Sequence, residues 1–324
     1  MTSQAARAAK PPSPNLLHER QGSIAVLTLN RPSARNSLSE GLIAELHAAL
    51  TEISDDASVR AVVIAANGSA FSAGHDMKEL TARRSDADGG RAYFAEIMNA
   101  CSAMMQAIVH LPKPVVAAVQ GVATAAGCQL VASCDLAVAS EAATFATPGV
   151  DIGLFCSTPM VALSRNIPRK QAMEMLLTGE PISATTARDI GLVNRVVAAG
   201  SERDAAIALA QKVALKSAYT VKLGKAAFYR QAEMNLADAY RYAAGVMAEN
   251  MMACDAEEGI GAFIEKRDPK WQDRYSVIAS QRVGAKRRPS TNSAKQSIVP
   301  HQERMDCLVA ALLAMTHWTV FNES

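Results

Sequence analysis

Two glycine-containing segments carry the chemistry this sequence offers. Phe71-Ser72-Ala73-Gly74-His75-Asp76-Met77-Lys78 follows one apolar run, and Gly121-Val122-Ala123-Thr124-Ala125-Ala126-Gly127-Cys128-Gln129 follows another. A chain leaving a strand must bend sharply there, and glycine admits the backbone angles that such a bend needs. Successive N–H groups in a bend can converge on one acceptor. If the two segments meet, their amides form a donor pair for a carbonyl oxygen that gains charge as an enolate develops.

Few side chains near these segments can carry protons. His75 titrates near neutrality and is the one histidine whose position favours the site. Either it acts there or it packs the turn. Asp76 reads as a cap or brace for the bend, and Asp135 reads as structural. Cys101, Cys128, Cys134, Cys156, Cys254 and Cys307 are scattered without a CxxC pair, so neither a metal site nor a disulfide framework is expected.

The elements that must hold these turns follow an α/β rhythm. Residues Ser23 to Leu29 read as a strand ended by Asn30-Arg31-Pro32. Ser39 is an N-cap for a helix from Glu40 to Ile53, whose Leu42, Ile43, Leu46, Leu50 and Ile53 share one face. Buried strands are expected at Val59 to Ala65 and Val115 to Val119, with a long helix from Ala92 to His110 between them. Asp86 to Gly90 reads as a mobile loop. The second turn opens a helix from about Ala126 to Ser133, and 136–139 and 144–146 read as short strands. Beyond Met160 the chain becomes largely helical, with helices at 169–178, 183–190, 202–216, 219–231 and 235–252.

Several ordered motifs carry a family resemblance. These are Leu29-Asn30-Arg31-Pro32 with Asn36 and Leu38, the Ala70 to Asp76 segment, Pro112 to Gly121, Cys134 to Ala139, Phe145-Ala146-Thr147-Pro148, Leu177 to Glu180, and Leu192 to Val197. Over roughly residues 16–271 the chain resembles the crotonase, or enoyl-CoA hydratase/isomerase, family. The resemblance implies a crotonase (ClpP-like) α/β fold of repeated ββα units with a helical C-terminal trimerisation region. It divides the chain into a flexible N-terminus at 1–15, a core at 16–198, a helical region at 199–271 and a flexible extension at 272–324. It implies a coenzyme A thioester as substrate or ligand, no other cofactor, and a homotrimer or dimer of trimers. The backbone N–H groups of His75 and Ala126 become the oxyanion donors, and Arg31, Asp76, Met77 and Lys78 become candidates for contact with CoA or substrate.

The chain departs from the family at the positions of its two catalytic glutamates, which fall on Gln129 and Gly149. Adding water across a conjugated double bond needs one group to deprotonate oxygen and another to protonate carbon. Neither an amide nor a glycine exchanges protons near neutral pH. Efficient hydration is therefore not expected, and two readings stay open: an acyl-CoA enzyme using another reaction, or a non-catalytic acyl-CoA-binding or regulatory homologue. Cys156 and Ser157 lie near the place where some relatives carry a catalytic Tyr or Asp, and Asp151 and Glu141 are further carboxylates from adjacent segments.

Composition narrows the partners. The 324 residues are 49% hydrophobic with a net charge of +2. That balance is ordinary for a packed globular protein and lacks the concentrated basic face of a nucleic-acid binder. No apolar run reaches the roughly 18 residues that span a bilayer. The first residues contain Arg7 and Lys10 without an acid but no secretory apolar core. A cytoplasmic location is expected, with the mitochondrial matrix as the alternative.

Overall fold

A computed structural model describes residues 14–273. The expected flexible N-terminus and extension therefore lie outside the described residues, apart from Pro14, Asn15, Gln272 and Asp273. Strands and helices alternate: β1 (Leu16–Gln21), β2 (Ile24–Leu29), α1 (Glu40–Asp55), β3 (Ala61–Ala66), β4 (Ala70–Ser72), α2 (Met77–Ala82), α3 (Arg91–His110), β5 (Val115–Val119), β6 (Val122–Thr124), α4 (Ala126–Ser133), β7 (Leu136–Ser140) and β8 (Thr144–Ala146). There follow α5 (Ser157–Asn166), α6 (Arg169–Thr178), β9 (Ile182–Ser183), α7 (Ala184–Asp189), β10 (Arg195–Val197), α8 (Glu202–Ala214), α9 (Ala218–Gln231), α10 (Leu236–Met251) and α11 (Cys254–Glu265).

The strands form two sheets, ordered β1-β2-β3-β5-β7-β10 and β4-β6-β8-β9. Pairing is parallel except for β1 on β2 and β9 on β8. The pleat divides the larger sheet cleanly. Leu27, Leu29, Val62, Ile64, Val115, Ala117 and Val119 point to the side packed by α1, α3 and α4. Their neighbours Ile24, Val26, Ala61, Val63, Val116, Ala118 and Val138 point the other way. Covering both faces explains why these strands are continuous apolar runs rather than alternating ones.

Several local expectations differ from what is observed. β1, α5 and α11 carry weak sequence signals and take their place through packing; β1 pairs with β2 across the tight turn at Gly22 (φ 61°). The segment 86–90 is a hydrogen-bonded turn rather than a mobile loop. Asp88 accepts from the Gly90 and Ala92 amides and so caps α3 at 2.9 and 2.8 Å. α8, which the sequence assigns to the C-terminal helical region, covers the second face of the large sheet through Ala206, Ile207, Leu209 and Ala210. A boundary at 198 would thus divide one packed unit.

α9 and α10 have no fully buried residue. A polar cluster anchors α9 instead. Asp135 accepts from Lys225 Nζ at 2.7 Å, the Tyr229 hydroxyl at 2.9 Å and the Val115 amide at 2.7 Å. Lys225 also donates to the carbonyls of Ile108 and Lys113, both at 3.0 Å. Burial pushes the Lys225 amine below its ordinary pKa, and Asp135 opposes that shift. Removing one partner of such a pair leaves a buried charge uncompensated, at a cost of about 3–5 kcal/mol. Asp135→Ala is accordingly expected to lower unfolding stability by about 3 kcal/mol and to speed amide exchange in α9 more than in α1; equal protection of α9 in both proteins would contradict this anchoring role.

Candidate functional site

The two glycine turns meet. A Cβ added at Gly74 would lie 2.9 Å from Ala125 Cβ, 3.1 Å from Thr124 O and 3.3 Å from Ala126 N. Gly74 also has φ 85°, so absence of a side chain serves both its backbone angle and this close approach. On the other side, a Cβ at Gly127 would lie 2.2 Å from Ser72 O. Glycine on each turn thus lets the other backbone approach, and α4 begins directly against the end of β4.

The hydrogen bonding around the turns leaves one amide unused on each. Leu38 N donates to Gly74 O at 2.7 Å, and Asp76 N donates to Leu38 O at 3.2 Å. These two bonds flank His75 in a parallel bridge, so the His75 amide faces away from Leu38. It donates to no group among the described residues. Ala126 is the first residue of α4, where an amide has no intrahelical acceptor. Its N–H is likewise unpaired among the described residues. The helix dipole adds positive potential at this end.

The second turn carries strain, though not at Ala126. Ala125 adopts φ 50° and ψ −119°, the first central position of a type II′ turn, where glycine is favoured. Its amide donates to Ala146 O at 2.9 Å, which ties the bend to β8.

A polar brace supports the first turn. Arg31 donates to Ser37 O at 2.6 Å, to Ser37 Oγ at 3.1 Å and to Asp76 Oδ2 at 3.0 Å. Asp76 also accepts from the Lys78 amide at 3.1 Å, capping α2. Burial acts to raise the Asp76 pKa, but Arg31, the Lys78 amide and Ser37 outweigh it and hold the carboxyl below its ordinary value. Arg31, expected at the CoA entry, therefore spends its charge inside the protein. Asn36, fully buried, receives the Arg31 amide at 2.8 Å and donates to Asn67 O and Ala70 O at 2.8 Å each. Asn36, Ser37 and Leu38 have positioning roles that no local pattern reveals, because each also bonds to a partner some thirty or more residues away. By contrast, Met77 and Lys78 are exposed, and Lys78 has no ion pair among the described residues.

The remaining candidates separate sharply. Both ring nitrogens of His75 are buried, and among the described residues neither makes a well-formed hydrogen bond, although the Leu38 backbone lies beside the ring. Burial lowers its pKa, opposed in part by the Leu38 backbone, so the neutral imidazole prevails at pH 7. Gln129 is 4% exposed and its Oε1 has no hydrogen-bond partner. At Gly149, a Cβ would lie 2.7 Å from Leu154 O and 2.9 Å from Cys156 Sγ. A side chain at Gly149 would therefore require Leu154 or Cys156 to shift. Burial raises the Cys156 pKa, with the Gly149 amide acting against it, so this group is a protonated thiol. Asp151 and Glu141 are exposed and do not join the turns, and the exposed Ser157 hydroxyl turns back to Phe155 O at 3.3 Å. Among the described residues no cluster of three or more His, Cys, Asp or Glu could hold a metal.

Comparison with known proteins accords with this architecture. The family profile described as Enoyl-CoA hydratase/isomerase matches residues 19–274. The chain belongs to the enoyl-CoA hydratase/isomerase family. Within that family it is 47% identical over 259 residues to the mitochondrial enoyl-CoA hydratase domain-containing protein 3 of Xenopus laevis, covering 80% of this chain and 86% of that protein. The human protein of the same name is 45% identical over 267 residues, covering 82% and 86%. Its crystal structure superposes with a TM-score of 0.75, covering 79% of this chain and all of that one. A Mycobacterium smegmatis enoyl-CoA hydratase structure is 52% identical with a TM-score of 0.76, covering 80% and 99%. The fold is the crotonase α/β fold with additional C-terminal helices.

Two substitutions test this enoyl-CoA hydratase/isomerase-family site. Ala125→Gly releases about 1–3 kcal/mol of backbone strain against roughly 0.5–1 kcal/mol of added chain entropy; a net gain of about 1 kcal/mol in unfolding stability is expected, and a lower Tm would refute the strain. Gly149→Glu must displace Leu154 and Cys156. A loss of about 1–3 kcal/mol is expected, and pairing it with Gln129→Glu should leave enoyl-CoA hydration undetectable in a spectrophotometric assay; hydratase activity in that double variant would show that the closure is soft.

Proposed function

We propose that this family member binds an acyl-CoA thioester with the carbonyl oxygen held between the backbone amides of His75 and Ala126, and that it acts in fatty-acyl-CoA metabolism without efficiently hydrating enoyl groups. One observation carries the reading: two turns, kept in contact by Gly74 and Gly127, each hold an amide that no group among the described residues uses. Such a donor pair suits the charge of a thioester enolate, and in comparable sites one donor contributes about 3–4 kcal/mol of transition-state stabilisation. The exposed Lys78, which has no ion pair among the described residues, is suited to meet CoA phosphates. Arg31 and Asp76 serve chiefly as the brace of the donor turn, with Met77 beside it at the rim.

Missing acid–base groups define the limit of the chemistry. Gln129 and Gly149 cannot exchange protons, and a positioned acid or base typically supplies ~10²–10⁴ in rate. His75 lies on the donor turn, and burial lowers the pKa of its ring. A second reading, a non-catalytic acyl-CoA-binding protein, is favoured by the closure at Gly149.

Assembly and location extend the proposal. Phe228, Leu236, Tyr240 and Met247 on α9 and α10 are 62–74% exposed, and a run of exposed apolar side chains of that kind marks an interaction surface. A homotrimer or dimer of trimers would cover it. The mitochondrial names of the vertebrate relatives favour the mitochondrial matrix over the cytoplasm. Among the described residues no helix is long and apolar enough to cross a membrane.

Titration calorimetry and turnover assays with saturated, enoyl-, β-keto- and malonyl-type CoA thioesters test the reading. Binding of acyl-CoA with negligible water addition is expected. Failure of every thioester to bind, or hydration at a rate typical of enzymes with both glutamates, would overturn it.

A further inference from the structure

Arg35 and Asn36 both adopt φ 51°, two consecutive left-handed residues neither of which is glycine. Side chains rarely accept that conformation, although asparagine tolerates it better than most. Such a strained pair persists only where surrounding bonds over-determine it. The buried Asn36 side chain supplies them. Its Oδ1 accepts from the Arg31 amide, which closes the corner on itself, and its Nδ2 donates to Asn67 O and Ala70 O on the chain entering β4, each at 2.8 Å. Beyond the corner, residues 35–38 run beside the first donor turn as a short parallel ladder. Ala73 N donates to Arg35 O at 3.0 Å, Leu38 N to Gly74 O at 2.7 Å and Asp76 N to Leu38 O at 3.2 Å. These bonds engage the groups on either side of His75 and leave its own N–H facing away from the ladder. The direction of that N–H therefore follows from where residues 35–38 lie, and the Asn36 amide fixes where they start.

We infer that Asn36 is a positioning residue for the His75 donor, acting through the left-handed corner and the 35–38 ladder without touching the ligand; the inference rests on the thioester reading of the His75–Ala126 donor pair. Glycine at position 36 keeps the left-handed angles but cuts all three side-chain bonds. The corner is then free to shift against β4, and the His75 N–H turns off its line to the carbonyl oxygen. Hydrogen bonds weaken steeply with misalignment. The loss falls on the polarisation of the thioester carbonyl, and contacts to the rest of the ligand are retained.

Isotope-edited infrared spectroscopy of the full-length protein with butyryl-CoA, labelled with carbon-13 at the carbonyl, tests the inference, because a hydrogen bond to a carbonyl lowers its stretching frequency. The unaltered protein is expected to lower the frequency below that of the free thioester in buffer. In Asn36→Gly that shift should fall by about half or more, while affinity for butyryl-CoA weakens about threefold to tenfold. Asp135→Ala loosens the fold at α9 and so controls for lost stability; its carbonyl shift should match that of the unaltered protein at a temperature where circular dichroism shows both variants folded. Asn36→Asp keeps the side-chain shape but sets a carboxylate oxygen against Asn67 O and Ala70 O; it should show the same loss of shift and serves if the glycine variant does not fold. A full carbonyl shift in a folded Asn36 variant, an equal fall in Asp135→Ala, or failure of both Asn36 variants to fold overturns the positioning role and leaves the donor pair standing. Butyryl-CoA bound by the unaltered protein without a carbonyl shift, or not bound at all, overturns the thioester reading and the inference with it.

Discussion

Close contact between two backbone turns is the constraint on which the site depends. Gly74 lies against Ala125 and Ala126, and Gly127 lies against Ser72, at distances that leave no space for a Cβ. Two amides from segments some fifty residues apart are thereby held near each other before any ligand arrives. Donors fixed in advance need no reorganisation as charge develops on an oxygen, which is the source of their strength. The strained backbone at Ala125 is part of the same arrangement. It bends the chain from β6 into α4, so that the helix begins with its first amide unpaired.

The rest of the fold serves to keep that contact in place. Parallel strands β3 and β5 deliver the chain to the two turns on the same side of the large sheet. Their faces are buried by α1, α3 and α4 on one side and α8 on the other. The Arg31–Ser37–Asp76 brace then sets the first turn, while the bridge to Leu38 orients the His75 amide away from Leu38. Arg31 illustrates how a charged residue near a site can be structural. Its guanidinium pairs with Asp76 and so sets the first turn.

The interior of the site is polar but poor in protons to exchange. His75 is held neutral by burial, Cys156 remains a thiol, and Gln129 is a buried amide. At Gly149, Leu154 O and Cys156 Sγ lie close to where a Cβ would stand, so any side chain there would require the neighbouring chain to shift.

Sequence by itself determined the α/β rhythm, the two turns and the family, because each depends on residue identity or on hydrophobic spacing over short range. The helix from Glu40 and the helix from Ala126 to Ser133 begin where their sequence signals place them. What tertiary structure decided were relations between distant residues. It alone brings Gly74 against Ala126, pairs Arg31 with Asp76, anchors α9 on Asp135 and assigns α8 to the sheet. It also removes Asp151 and Glu141 from the site and fills the space beside Gly149. No periodicity encodes such contacts, since each is fixed by how packed elements come to lie in space.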